Sequence, residues 1–136
     1  MRSDIRTVAD GLGVFSSAAC ALHCLLAPTL LVLGPTLPFV FLADESFHRT
    51  MLWVLLPSAI LAFGIGCWRH KDLWVLLLGA VGLLGICLTL VLPHEMLGET
   101  GERVVTVGAA IFLITAHVRN FKLCRSKDCD DSGRGA

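Results

Sequence analysis

The 136-residue chain is long enough for one domain, and 55% of its residues are hydrophobic while only 16% are charged. A soluble domain usually carries about 25% charged residues, so this composition excludes an ordinary soluble domain and indicates a membrane protein. Eleven basic residues balance eleven acidic ones, and the resulting zero net charge gives no electrostatic support for nucleic-acid binding. The six cysteines do not form the pattern of a secreted disulfide framework, because four of them lie inside apolar segments.

The sequence predicts four membrane-spanning helices, because crossing the hydrocarbon of a bilayer takes about 20 mainly apolar residues. The predicted spans cover about residues 12–33, 51–68, 73–92 and 103–121. Pro35 follows the first span, the charged turn at residues 69–72 follows the second, and Pro93 follows the third. We therefore expect an all-α, integral membrane four-helix bundle over residues 1–129 and a mobile tail over residues 130–136.

The distribution of Lys and Arg predicts the orientation of the chain, because cytoplasmic segments carry an excess of these residues. With the N-terminus inside, only Arg49 and Arg103 lie in outer segments. The inner segments then hold Arg2, Arg6, Arg69, Lys71, Arg119, Lys122, Arg125, Lys127 and Arg134. We expect both termini in the cytoplasm and a multi-pass protein of the inner (plasma) membrane.

Chemically active side chains interrupt the first predicted span, in the sequence ACALHCL at residues 19–25. Residues three and four apart share a helix face, so Cys20, His23 and Cys24 are neighbours. Thiolates select soft metal ions, and an ionisable residue within a span usually has a function. The pattern predicts that these three side chains bind a soft metal ion. The alternatives are thiols that pack as small apolar groups and a histidine that is hydrogen-bonded across the bundle.

A second candidate site lies where the fourth predicted span ends, in the sequence TAHVRNFKLCRSKDC. His117, Asn120 and Cys124 share one helix face, and a bundle of four spans would place His117 at a depth near Cys20. Cys124 and Cys129 are expected just beyond the span in the cytosol, where neighbouring cations raise the thiolate fraction. His117 and the two cysteines are therefore further candidate metal ligands. The alternatives for the thiols are a palmitoylation site or two inert cysteines.

Three segments, SSAACALHCLLAPTLL, WRHKDLWVLLLGAVGL and TAHVRNFKLCR, resemble the MerC family of mercury-resistance inner-membrane proteins. They are more similar to the broader group of MerC-domain proteins, because the mercury-resistance members place their first-span thiols closer together without a histidine between them. The resemblance covers roughly residues 10–129. It implies a four-span protein that carries mercuric ion toward the cytosol. It also implies an essential first-span pair at Cys20 and Cys24 and a cytosolic pair at Cys124 and Cys129.

We therefore expect a membrane transporter rather than an enzyme, with mercuric ion or a related soft metal ion as its substrate. The ion would bind the first-span cysteines, pass by thiolate exchange to the cytosolic cysteines, and leave to a cytosolic thiol or a mercuric reductase. The expected partners are the metal ion and the lipid bilayer, with no nucleic acid and no resident cofactor. Two alternatives stay open: a membrane thiol–disulfide oxidoreductase, and an accessory or structural membrane protein that binds metal.

Overall fold

The computed structural model describes the backbone of residues 2–33, 45–70, 72–92 and 94–133. It describes the side chains of residues 4–26, 49–65, 72–92 and 95–126. Over this part of the chain the structure consists of four helices: α1 (Arg2–Leu33), α2 (Glu45–His70), α3 (Leu73–Val91) and α4 (His94–Gly133). The expected all-α class is confirmed for these residues.

Three of the helices have described parts that are long and apolar enough to cross a membrane: Asp4–Leu26, Leu73–Val91 and Glu95–Ser126. The described apolar part of α2, Arg49–Ile65, is shorter. Large apolar side chains cover the outer surface of the bundle, including Trp53 and Phe15, which are 78% and 72% exposed. A soluble protein rarely exposes so much apolar surface, whereas a lipid bilayer covers it without cost.

Two helices extend well past the predicted spans. α1 begins at Arg2 rather than near residue 12, and α4 continues to Gly133 rather than ending near residue 121. Hydropathy locates the edge of the hydrocarbon, and a helix with polar side chains continues beyond that edge into the interface. Residues 130–133 of the expected tail are helical, and residues 134–136 lie outside the described part of the chain.

Local chemistry sets several helix boundaries and irregularities. The Asp72 carboxylate caps the start of α3, where its Oδ1 accepts hydrogen bonds from the backbone N–H groups of Trp74 at 2.9 Å and Val75 at 3.3 Å. α3 ends just before Pro93, which cannot continue the hydrogen-bonded ladder. Gly98 adopts a φ of +64° inside α4 and separates its first turn from the long remainder.

The four helices form a bundle in which α2 and α4 touch across the centre. α4 packs against each of the other three helices, and α2 does the same. In the described residues α1 and α3 do not contact one another, so they lie on opposite sides of the α2–α4 pair. Both α1 and α3 therefore use α4 as a partner, but through different faces. We call the end of the bundle where α1 begins and α4 ends the terminal end.

Candidate metal centre

The candidate residues lie along the seam where α1 and α4 pack antiparallel. Asp10 hydrogen-bonds Asn120 near the terminal end, and Cys24 lies beside Thr106 farther along. Moving fourteen residues forward along α1 thus corresponds to moving fourteen residues back along α4. This register makes Cys20 level with Ala110. The seam consists of Asp10, Gly13, Ser17, Cys20 and Cys24 on α1 and Thr106, Ala110, His117 and Asn120 on α4.

The two first-span thiols form a pair at the half of the seam away from the terminal end. Cys20 is buried, with 1% of its surface exposed, and Cys24 is partly buried. Neither is part of a disulfide, and they lie close enough to influence each other's charge. Cys24 also lies near the Glu102 and Arg103 side chains of α4. His23 is partly buried, and both of its ring nitrogens are shielded from solvent.

The predicted ligands do not form one compact site in this arrangement. Among the described side chains, no three of the His, Cys, Asp and Glu type lie close enough together to hold one metal ion. The thiol pair supplies two soft donors one helical turn apart. An ion that accepts two thiolate ligands suits this pair better than an ion that requires four or more hard oxygen ligands.

A buried polar network occupies the seam near the terminal end. The Asn120 amide donates to both carboxyl oxygens of Asp10, at 3.1 and 2.9 Å, and to the backbone oxygen of Ala62 on α2, at 3.1 Å. Nδ1 of His117 lies 3.0 Å from Oδ1 of Asp10. Asp10 is 2% exposed, and His117 and Asn120 are 0% exposed. The network therefore joins α1, α2 and α4 through groups that are fully removed from solvent.

The network defines which nitrogen of His117 carries a proton. A carboxylate oxygen only accepts hydrogen bonds, so Nδ1 of His117 is the donor to Asp10. The other ring nitrogen, Nε2, is buried and has no hydrogen-bond partner among the described residues. In the neutral ring this nitrogen carries a lone pair, which is the form that binds metal ions.

Gly13 makes room for the His117 ring. A Cβ atom at Gly13 would lie only 2.2 Å from Nε2 of His117, so a larger residue would displace the imidazole. The ring also stacks at a tilt on Phe63, with 4.5 Å between ring centroids. His117 and Asp10 border a groove of about 550 Å³ between α1 and α4, which Val14 and Phe15 also line.

A protein-family model described as MerC mercury resistance protein matches residues 10–122. The chain belongs to the MerC family. The resemblance drawn from the sequence is thereby confirmed, and the apolar helices agree with the membrane location of mercury-resistance proteins of this family. No curated protein and no solved structure matches the chain. The matched region begins at Asp10 and includes the whole seam, whereas Cys124 and Cys129 follow just after it.

In this MerC protein, His117 does not lie at the depth of Cys20. It is level with Gly13, and seven residues of α4 separate it from Ala110, the residue opposite Cys20. Seven residues correspond to about 10 Å along a helix axis. The expectation that His117 lies near the depth of Cys20 is therefore wrong, because the Gly13 contact and the Asp10–Asn120 hydrogen bonds set a different register.

Cys124 follows the predicted end of the fourth span, but its side chain is not exposed there. Its side chain is 0% exposed, and the register places it level with Arg6, which is buried as well. The reason is that α4 continues as a helix beyond the predicted span and packs against the first turns of α1, where the neighbouring Leu123 contacts the cluster that contains Ala9. The side chain of Cys129 lies outside the described residues.

Sequence reasoning missed Asp10 as a member of this MerC site. A charged residue just before an apolar run is typical of a span boundary, so its position in the sequence gives Asp10 no obvious role in a site. The spacing of Asp10 along α1, however, indicates that it shares a face with the thiol pair. Asp10, Gly13 and Ser17 continue the i, i+3, i+4 pattern of Cys20 and Cys24 on the same face of α1.

A second ionic contact joins α4 to Asp72, which lies just before α3 and outside its membrane-spanning segment. Nη2 of Arg119 donates to Oδ2 of Asp72 at 2.8 Å. This hydrogen bond from the Arg119 guanidinium is the main reason that the pKa of Asp72 lies below its usual range, and the N–H groups of the α3 cap act in the same direction. Asp72 therefore serves two helices, one as a cap and one as an ion-pair partner.

Proposed function

We propose that this MerC-family protein carries mercuric ion, or a related soft metal ion, across the inner membrane toward the cytoplasm. The observation that supports the proposal most is the pair Cys20 and Cys24, one turn apart on an apolar helix and facing the seam. Two thiolates form a soft donor set, and such sets select soft ions. The Lys and Arg distribution supports an orientation in which the terminal end is the cytoplasmic end.

Capture takes place at the outer half of the seam. Cys20 and Cys24 bind the ion through their two thiolates, and His23, on the same turn of α1, does not join them in a three-ligand group. Thiolates are the binding form, so each thiol that coordinates the ion releases its proton. The Glu102 carboxylate near Cys24 adds negative charge at this point, which favours the approach of a cation.

Delivery takes place at the cytoplasmic end, where the ion passes to Cys124 and Cys129. A cytosolic thiol acceptor or a mercuric reductase then removes it. Exchange between ligands keeps the ion bound throughout, in the same way that thiols exchange at a disulfide. Fourteen residues of α4 separate Cys124 from the level of Cys20, which is about 20 Å along the axis. Such a distance requires an intermediate ligand, and His117 lies midway.

The test is uptake of Hg(II) into proteoliposomes that contain glutathione as an internal trap. The wild type should accumulate mercury, whereas the double variant Cys20→Ser/Cys24→Ser should match empty liposomes because both capture ligands are absent. Cys87→Ser is the matched control, since it removes a partly buried thiol on α3, a helix that does not contact α1 in the described residues. This variant should retain uptake.

Uptake by the double variant at the wild-type rate would sink the proposal. The oxidoreductase alternative predicts a different result: no uptake by the wild type, and a cellular fraction in which Cys20 and Cys24 are joined as a disulfide. Alkylation of free thiols in whole cells, followed by mass spectrometry, measures that fraction.

A further inference from the structure

In the described part of the seam, two buried polar atoms without a hydrogen-bond partner lie between the thiol pair and the cytoplasmic end. They are Oγ of Ser17 and Nε2 of His117, and both residues are 0% exposed. A buried polar group that makes no hydrogen bond costs free energy, so native proteins keep few of them and often use them functionally. Ser17 lies one turn from Cys20, and His117 lies beyond it.

The surroundings of His117 resemble the support that proteins give to metal-binding imidazoles. Such an imidazole usually donates its second ring N–H to a carboxylate, which fixes the tautomer and orients the ring. Here Asp10 accepts from Nδ1 of His117, and the Asn120 amide holds both carboxyl oxygens of Asp10 in place. Among the side-chain nitrogens and oxygens of Asp10, His117 and Asn120, Nε2 is the one that is buried without a hydrogen-bond partner in the described structure. The free nitrogen is the one that would bind an ion.

We propose that the seam from Cys20 through Ser17 to His117 is the path of the ion, and that Asp10 is the positioning residue that presents Nε2 of His117 to it. The inference rests on the proposed function, because it assigns the step between capture and delivery. Asp10 and Asn120 do not touch the ion. The substrate class is a thiophilic divalent cation that also accepts an imidazole nitrogen, as zinc-group ions do.

The step is an exchange of ligands without a change of oxidation state. The bonds from the ion to Sγ of Cys24 and Sγ of Cys20 break in turn as the ion moves onto Nε2 of His117, and each sulfur keeps the electron pair of its broken bond and takes up a proton. A second exchange then forms a bond to Sγ of Cys124, whose thiol releases its proton, and returns the lone pair to Nε2. Side chains tilt toward the N-terminus of their own helix, so across this antiparallel seam Cys20 and His117 tilt toward each other.

Nε2 packs against Gly13, so an ion reaches it only when the ring moves slightly away from α1. The groove beside Asp10 and Val14 provides space for this movement, with a volume of about 550 Å³. The hydrogen bond to Asp10 acts as the pivot because it holds Nδ1 while the Nε2 edge shifts. A ring without that pivot would lose its orientation, and exchange would slow.

A purely structural role of His117 makes a different prediction, and two substitutions separate the two roles. His117→Asn keeps a donor near the position of Nδ1 and thus the bond to Asp10, but it offers no soft ligand. His117→Cys loses that bond but offers a thiolate. If His117 is a ligand, Asn abolishes Hg(II) uptake and Cys restores at least part of it. If His117 only holds the helices together through its bond to Asp10, the His117→Asn variant supports uptake better than the His117→Cys variant. This result would overturn the proposal.

Asp10→Asn tests the positioning role. Its amide leaves one donor facing the Asn120 amide, which disturbs the network without removing a ligand. We expect uptake to fall about 10- to 100-fold, the usual effect of removing a carboxylate behind a metal-binding imidazole. Hg(II) binding at the thiol pair, measured by thiolate charge-transfer absorption in detergent, should stay unchanged. Retained binding also shows that the variant is folded.

Thr115→Ala is the control, since Thr115 is exposed on α4 and its hydroxyl bonds only within its own helix. Wild-type uptake by both Asp10→Asn and His117→Asn, with the thiol pair still required, would overturn the path and leave the proposed function intact. Absence of uptake by the wild type itself would instead refute the proposed function.

Discussion

α4 packs against α1 and α3 through two faces of different chemistry. Apart from the ion pair at the start of α3, its contact with α3 is made by small and apolar groups, where Gly82 and Gly85 allow the backbone of α3 to approach Ala109 and Leu113. Its contact with α1 is the seam, which carries thiols, a serine and the buried network of Asp10. The first contact follows the usual way in which helices associate in lipid, by close approach at small residues.

The difference between these two contacts of α4 indicates which one serves stability and which one serves function. Lipid is as apolar as leucine, so burying polar groups between helices gains little stability unless each group finds a partner. Within the membrane-spanning part, the α3 contact joins two helices through small and apolar residues, and its ion pair of Asp72 and Arg119 lies only at the start of α3. A seam that nevertheless contains an imidazole, a carboxylate and two thiols is therefore better explained by function than by stability.

The largest effect is expected where the apolar contact is tightest. Gly82→Ala would place a Cβ 2.6 Å from Leu113 and 2.9 Å from the backbone oxygen of Ala109. Because backbone must move, we expect a loss of about 1–3 kcal/mol in the free energy of unfolding, measured by denaturation in mixed detergent micelles. Gly108→Ala on α4 is the matched control, since its Cβ would meet nothing within 4 Å. Equal stability of the two variants would contradict this packing.

A smaller effect on stability is expected from the polar seam. Asn120→Leu removes the donor that holds Asp10 and the bond to the backbone oxygen of Ala62. Oδ2 of Asp10 loses its donor while Oδ1 keeps its bond to His117, and this loss should cost about 1–3 kcal/mol in a buried site, with the lower part of that range expected here because polar contacts in membrane proteins contribute less. Uptake should fall more than stability. If stability falls and uptake persists, the network serves only to hold the helices together.

The smallest effect is expected at the exposed pair of Asp72 and Arg119. The pKa of Asp72 is lowered in the folded protein, so its contribution is present above its unfolded pKa of about 3.9 and is lost as the pH falls through the folded value. Asp72→Asn keeps a good helix cap but removes the charge. The variant should therefore lose part of the pH dependence of the thermal midpoint below about pH 5. Glu99→Gln, which removes another exposed ion pair with Arg103, is the control.

The sequence predicted the positions of the helices along the chain better than it predicted how the helices pack against one another. Apolar runs located all four helices, because lipid requires such runs, and spacing along α1 identified Cys20 and Cys24 as neighbours. The sequence of either helix alone does not determine the register between α1 and α4. It depends on the gap left by Gly13 for His117 and on the pairing of Asp10 with Asn120, which are contacts between residues more than a hundred positions apart. The burial of Cys124 beside the first turns of α1 depends on the same register.

The three-helix connection made by Asn120 also bears on biogenesis. Asp10 belongs to α1, which leaves the ribosome before α4, the helix of its amide partner. Until α4 has inserted, the Asp10 carboxylate has neither Asn120 nor His117 beside it, and a charge in lipid without partners is costly. Translation must therefore pass α4 before α1 is stable in its final position. A chain truncated before α4 would keep α1 near the membrane surface or the insertion machinery, where cellular quality control can recognise and degrade it.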